Sequence, residues 1–209
     1  MTLYRPDRDA FLASSIEVAP RLLGAVLRHT TDEGTVGLRI TEVEAYIGDG
    51  ADPGSHAFRG RTRRNAVMYG PPGYLYAYFT YGMHVCANIV CSPEGEASAV
   101  LLRAAEVVEG EELAALRRSG RTGRTVPHRD LGRGPARLVV AAGITLADDG
   151  ADLFGDRFAL SLPTEQAVYE TGPRTGVSGA GGGTAFPWRF WLPGDPSVSP
   201  YKRHPKSHD

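Results

Sequence analysis

The chain has 209 residues, of which 42% are hydrophobic, and a formal net charge of −1. That length suits one domain with a proper core and is short for two, and the composition excludes a disordered chain. No apolar run reaches the roughly 18 residues of a membrane helix, and the opening MTLYRPDRDAF lacks the apolar centre of a signal peptide, so a cytoplasmic protein without membrane contact is expected.

Ser14 and Glu17 have capping-box spacing ahead of a short apolar helix predicted over 15–23. Residues 24–30 read as a strand. Residues 37–46 read as another, with Leu38, Ile40, Glu42, Glu44 and Tyr46 alternating onto one face that begins apolar and ends in two carboxylates and a phenol. Gly, Asp, Pro, His and Arg dominate 48–64, which is expected to be loop. Residues 75–81 and 84–91 pattern as a hairpin joined by Gly82 and Met83, followed by a strand over 99–104 and a helix over 107–119. Pro135 suits the first turn of a helix that stops at Gly143. Further strands are predicted over 157–162, 167–170 and 188–192. Strands without regular βαβ alternation predict an α+β fold. The expectation is one domain over 1–192, with a mainly antiparallel curved sheet surrounded by helices and a protruding β-hairpin. The Pro-, Ser- and His-rich stretch 193–209 is expected to be a poorly structured tail.

The hairpin carries an excess of phenols: Tyr74, Tyr76, Tyr78 and Tyr81 lie within eight residues. Aromatic residues at period two belong on strands. Each buried hydroxyl needs a partner, so so many phenols exceed what a core requires, and they suit a surface that receives flat rings such as nucleobases. Tyr81 falls on the opposite face from the other three, next to Gly82 and Met83, and a bulky ring at a glycine-permitted tip can act as a wedge in a base stack. Glu44 and Tyr46 share a face, which makes a general base beside a stacking platform, but Glu42 shares that face too and spacing does not choose between them. Loop residue His56 can fold over the same pocket as a second wall. Asn88 offers a donor and an acceptor to a base edge. Leu101 and Arg103 share a strand face, and pairing with Glu44 gives Arg103 a reason to sit among apolar residues.

Positive charge is nearly all arginine. Arg59, Arg61, Arg63 and Arg64 form one cluster suited to bidentate phosphate contacts, and six arginines between 117 and 133 form a second, while acidic residues gather over 106–112 and 148–156. Cys86 and Cys91 sit at odd spacing in one strand, point to opposite faces and are expected as unpaired buried residues. There is no C-x-x-C, and His56, His84 and the tail histidines complete no ligand set, so neither metal nor cofactor is expected.

Taken together, EVEAYIG (42–48), SHAF with the following RGRTRRNAVMYGPPGYLYAYFTYGMHVCANIV, AVLLRAAE (99–106), LGRGPARL (131–138), PRTGV and PWRFWL resemble the alkyladenine (3-methyladenine) DNA glycosylase family, over most of the chain and in family order. The resemblance implies that Glu44 activates water and that Arg103 supports it. Tyr46, His56 and Tyr78 would sandwich a flipped base, Asn88 would screen its exocyclic group, and Leu101 would pack beside Arg103. Tyr81 would intercalate with help from Met83, leaving Tyr74 and Tyr76 as core. The implied partner is double-stranded DNA bearing damaged purines, bound by a monomer. The only lysines are Lys202 and Lys206, so no amine is expected for a Schiff-base step and the implied enzyme is a monofunctional hydrolase. A non-catalytic nucleic-acid binder that uses the tyrosines for stacking is the alternative; it needs no glutamate on the pocket face.

Overall fold

The computed structural model describes residues 2–80, 84–120 and 123–209. Its spine is strand β3, Gly34–Ile47, whose β-branched Thr35, Val36, Ile40, Thr41, Val43 and Ile47 favour a long extended segment that is buried along most of its length. Among the described residues nine further strands assemble around it. They are β1 (Leu3–Tyr4), β2 (Val26–Thr31), β4 (Leu75–Thr80), β5 (His84–Val90), β6 (Ser98–Glu109), β7 (Gly132–Arg133), β8 (Phe158–Pro163), β9 (Glu170–Gly172) and β10 (Arg189–Trp191). The main order is β1-β8-β2-β3-β6-β5-β4, with β10 beside β3, β9 beside β10 and β7 beside β6, and every pairing is antiparallel. One edge of β3 is shared: its first half pairs with β2, and Glu42 to Glu44 pair with β10. Three α-helices among the described residues complete an α+β domain: α1 (Ser15–Val18), α2 (Glu111–Ser119) and α3 (Pro135–Ala142). No helix among the described residues is long and apolar enough to cross a membrane.

The expected alternation along 38–46 does not run unbroken. Between Ile40 and Val43 the register with β6 shifts twice: Ile40 faces Ala105, Glu42 faces Ala104 and Val43 faces Leu102. Thr41 is the extra residue on β3 and Arg103 the extra residue on β6. Each bulge reverses which face the following residues present. Leu38 and Ile40 therefore share the core with Val43 and Ala45, and on β6 Ala105 and Val107 share it with Leu102 and Val100. Glu44 and Tyr46 are left on the opposite face from the apolar half of the strand, which corrects the single-face reading.

Other boundaries moved for local reasons. The α-helical turn stops at Val18 and continues as a 3-10 turn over Ala19–Leu22, because Pro20 has no N–H to extend the α pattern. Ser14 Oγ donates to Glu17 Oε1 at 3.0 Å without capping the backbone. Residues 107–109 end β6 instead of starting a helix. Gly110, at φ 70°, makes the break, and a Cβ there would strike the carbonyl of Thr35. The strand predicted over 167–170 forms at Glu170–Gly172. Helix α3 follows the expected Pro135-to-Gly143 span, with Gly143 closing it at φ 72°. Cys86 and Cys91 lie on opposite faces, the second inside the core. Residues after Pro193 hold little regular structure, yet Ser197 and Ser199 are buried and Ser197 Oγ lies 2.8 Å from Thr41 Oγ1.

His29 is built into the core, stacked on Phe158 at 4.2 Å with its Nδ1 3.0 Å from Ala142 O. Burial holds its pKa below the ordinary 6.5, although the Ala142 carbonyl opposes the shift. The unfolded chain thus binds a proton that the folded chain refuses, so this contribution is complete above 6.5 and is lost as pH falls through the window below it. The urea midpoint should drop between about pH 7 and about pH 5.5 in the wild type, and should drop less in His29→Gln, which removes this buried imidazole.

Candidate active site

Four neighbouring strands present a second face opposite the core. β3 contributes Glu44 and Tyr46, β4 contributes Tyr76 and Tyr78, β5 contributes Cys86 and Asn88, and β6 contributes Leu101 and Arg103. Their neighbours in sequence, among them Ala45, Ala87 and Leu102, point into the core. With His56 and Thr175 from loops, they line a cleft of about 420 Å³. All seven residues assigned from sequence to the catalytic pair and the ring pocket therefore meet in one place.

Glu44 is fully buried at this cleft. Tyr46 Oη donates to Glu44 Oε2 at 2.8 Å, and the backbone N–H of Thr175 donates to Oε1 at 2.7 Å. Arg103 Nη1 lies 3.5 Å from Oε1. Glu42 is equally buried but engaged elsewhere: it accepts from Arg103 Nε at 2.9 Å, Arg189 Nε at 2.6 Å and the Ser199 N–H at 2.8 Å, and it does not line the cleft. Geometry thus distinguishes the two carboxylates that spacing left equivalent. Arg103 bridges them, with its closer hydrogen bond to Glu42. Burial alone would make its guanidinium easier to deprotonate, but Glu44 and then Glu42 outweigh that and raise its pKa.

The walls are aromatic. His56 meets Tyr78 edge-on at 4.5 Å, and its Nδ1 lies 3.2 Å from Tyr76 Oη. Neighbouring side chains partly screen the His56 ring at the open side of the cleft; that desolvation, followed by the charge of Arg64, lowers its pKa. Burial raises the phenol of Tyr46 well above 10.0, reinforced by the Glu44 charge. Burial also raises Tyr76 to about 12, and it raises Tyr78 with help from Cys86. These hydroxyls stay protonated, and that of Tyr46 donates to Glu44. Tyr76, expected as core only, is buried and also lines the cleft, whereas Tyr74 packs against Arg8 at 4.8 Å. Asn88 Nδ2 donates to Tyr76 O at 2.9 Å, which fixes the amide in the wall.

Arg59, Arg61, Arg63 and Arg64 are all exposed. Arg64 reaches the cleft wall, 6.0 Å from the Tyr78 ring, and donates to Phe79 O at 2.9 Å. Tyr81 and Met83 lie outside the described residues; Thr80 and His84, at the adjacent strand ends, line the cleft.

Two supports escaped the sequence reading. Arg174 has no exposed surface and forms a two-point pair with Asp52 at 2.6 Å for each bond. It also donates to Ala45 O at 2.9 Å and lies 4.5 Å from the Tyr46 ring. The same segment carries Thr175, so this pair fixes both donors to Glu44. Arg189 with Ser199 is the second support, beneath Glu42. The PRTGV motif was the one visible signal for Arg174. Asp52 is 122 residues away, and nothing local links them.

The fold and cleft define a class: an antiparallel α+β domain holding a buried carboxylate beside a cluster of aromatic rings. Residues 9–196 match the family model of methylpurine-DNA glycosylase, and the chain belongs to that family. Among similar proteins, one from Leifsonia xyli subsp. xyli, named "Putative 3-methyladenine DNA glycosylase", is 77% identical over 208 residues, covering 100% of this chain and 98% of the relative. Proteins with the same name from Streptomyces avermitilis and Nocardia farcinica are 54% and 50% identical, covering 94% and 90% of this chain and 92% and 88% of their own lengths.

Glu42→Gln would leave two buried arginines without their shared anion, and the expected loss of stability is about 3–5 kcal/mol, read by urea denaturation. The corresponding change at Glu44, which has one distant arginine and two neutral donors, should cost much less.

Proposed function

We propose that this DNA glycosylase releases alkylated, and also deaminated, purines from duplex DNA by hydrolysing the N-glycosidic bond. The observation that carries the reading is Glu44: a carboxylate with no exposed surface, aimed by Tyr46 and Thr175 at a cleft walled by rings. A protein that only stacks bases gains nothing from burying a carboxylate there, because desolvating a charge is costly.

The damaged nucleotide leaves the helix and enters the cleft, at a cost of roughly a few kcal/mol that is smallest for weakly paired lesions. Tyr81 wedges into the vacated space with Met83 against the opposite strand, and Arg59, Arg61, Arg63 and Arg64 hold phosphates. Tyr46, His56 and Tyr78 enclose the base. A purine alkylated at N3 or N7 is cationic, and an aromatic enclosure favours it by about 0.5–2 kcal/mol. Asn88, held by Tyr76 O, presents the rest of its amide to the base edge and screens its exocyclic group. Glu44 takes a proton from water as the water oxygen bonds to the sugar C1′. The C1′–N bond breaks with its electron pair going to the purine, so a cationic lesion departs neutral, whereas a neutral deaminated purine takes up a proton as it leaves. Arg103 holds Glu44 in place, and Leu101 packs the floor beside it. Neither Lys202 nor Lys206 lines the cleft, which supports hydrolysis without an amine-linked intermediate.

Glu44→Gln keeps the size of the side chain and should lower single-turnover release of free base from methylated duplex DNA by about 10²- to 10⁴-fold. Affinity for the lesion duplex, measured by gel shift in the same buffer, should remain within a few-fold of wild type. Full base release by the variant would remove Glu44 from the role.

A further inference from the structure

The stretch after Pro200 is more than a surface tail. Both lysines of the chain, Lys202 and Lys206, fall within it, along with Arg203, His204 and His208. Its backbone is tied to the loop that lines the cleft. Gly176 N–H donates to Lys202 O at 3.0 Å, Gly179 N–H donates to Lys206 O at 2.9 Å, and Thr184 N–H donates to Asp209 Oδ1 at 2.7 Å. Upstream, Ser199 is anchored to Glu42. The carbonyls that hold this strap belong to the two lysines themselves, so their positions are fixed while their side chains stay exposed. Neither ammonium has an ion-pair partner among the described residues, whereas Arg203 is partly neutralised by Asp209 at 3.3 Å.

Gly176 lines the cleft, so Lys202 stands one hydrogen bond from its rim. The exposed arginines of 59–64 continue from the His56 wall, and the strap borders the Thr175–Ser178 wall. Cationic segments therefore join the cleft at two of its walls, through Arg64 beside Tyr78 and through the Lys202 backbone at Gly176. A flexible lysine tail would lose conformational entropy on meeting an anion, but this one is already ordered.

We propose that residues 200–209 form a second phosphate-contacting edge, with Lys202 and Lys206 engaging the backbone of duplex DNA beside the flipped nucleotide. The inference rests on the glycosylase reading for its partner and adds a contact site on a different segment.

The test compares the full-length wild type with K202Q/K206Q, using undamaged duplex DNA across a salt series. Both positions are exposed, and an unchanged melting temperature will show that the strap remains folded. Each lost phosphate contact should make the slope of log affinity against log salt shallower by about 0.9, so the double variant should lose roughly two units. Its affinity should fall by roughly tenfold per contact near 0.1 M salt and by little near 1 M. Base release at saturating lesion DNA should be unchanged. Equal slopes and equal low-salt affinity in the two proteins would overturn the proposal. If the wild type binds DNA and the slope changes, but no base is released from any damaged duplex, the phosphate edge stands and the glycosylase reading falls. If base is released and the slopes coincide, the reverse holds.

Discussion

Glu42 and the two arginines it anchors are the constraint on which the rest of this structure depends. The carboxylate sits where β3 and β6 both slip register, and Arg103, the extra residue on β6, donates to it across the break. Arg189 reaches it from β10 and Ser199 from the segment beyond. Removing three charges from water is expensive, and such clusters persist where their mutual geometry is good and few polar atoms go unpaired. Here the cluster pins a bulge, and the bulge does the architectural work. It lets one strand place Leu38 and Ile40 in the core, then Val43 and Ala45 in the same core, while Glu44 and Tyr46 turn to the cleft. Without the slip, either the core or the site would lose its residues.

The second constraint is the Asp52–Arg174 pair. It works at the other side of Glu44, beneath the Tyr46 ring and against the Gly181 carbonyl. Gly54 and Gly181 approach so closely there that a Cβ on either would collide with its surroundings. The glycine-rich 178–186 loop is therefore packed against the site. Its glycines permit contact between backbones and are not a sign of looseness. The two ion-pair clusters hold Glu44 from opposite sides through neutral donors and one more distant cation. The carboxylate is thus oriented before any ligand arrives.

The cleft combines this fixed anion with rings that stay neutral. His56 resists protonation, and the phenols of Tyr46, Tyr76 and Tyr78 resist ionisation. Arg103 is the firmly charged cation at the floor, and it is turned chiefly toward Glu42 and Glu44. A flat cationic ring would therefore meet aromatic rings at the walls and a carboxylate at the base, with Arg64 at the Tyr78 wall and Arg103 turned toward the two glutamates.

Period-two patterns determined much of this from sequence alone. They put Tyr76 and Tyr78 on one face of the hairpin, and Leu101 and Arg103 on one face of the strand that follows, because along a strand a side chain's face follows from its position. Pro135 and Gly143 likewise fixed a helix through backbone rules that act locally. The choice between Glu42 and Glu44 was beyond spacing; the family resemblance pointed to Glu44, and in the fold Glu44 lines the cleft while Glu42 is engaged by Arg103, Arg189 and Ser199. The register slip arises from two strands about sixty residues apart and from ion pairs reaching to Arg189 and Ser199. The pairing of Asp52 with Arg174, and the anchoring of the final residues onto the cleft loop, were invisible for the same reason. Local propensity is written in neighbouring residues, whereas the partner of a buried charge is whichever residue the fold brings within three ångströms.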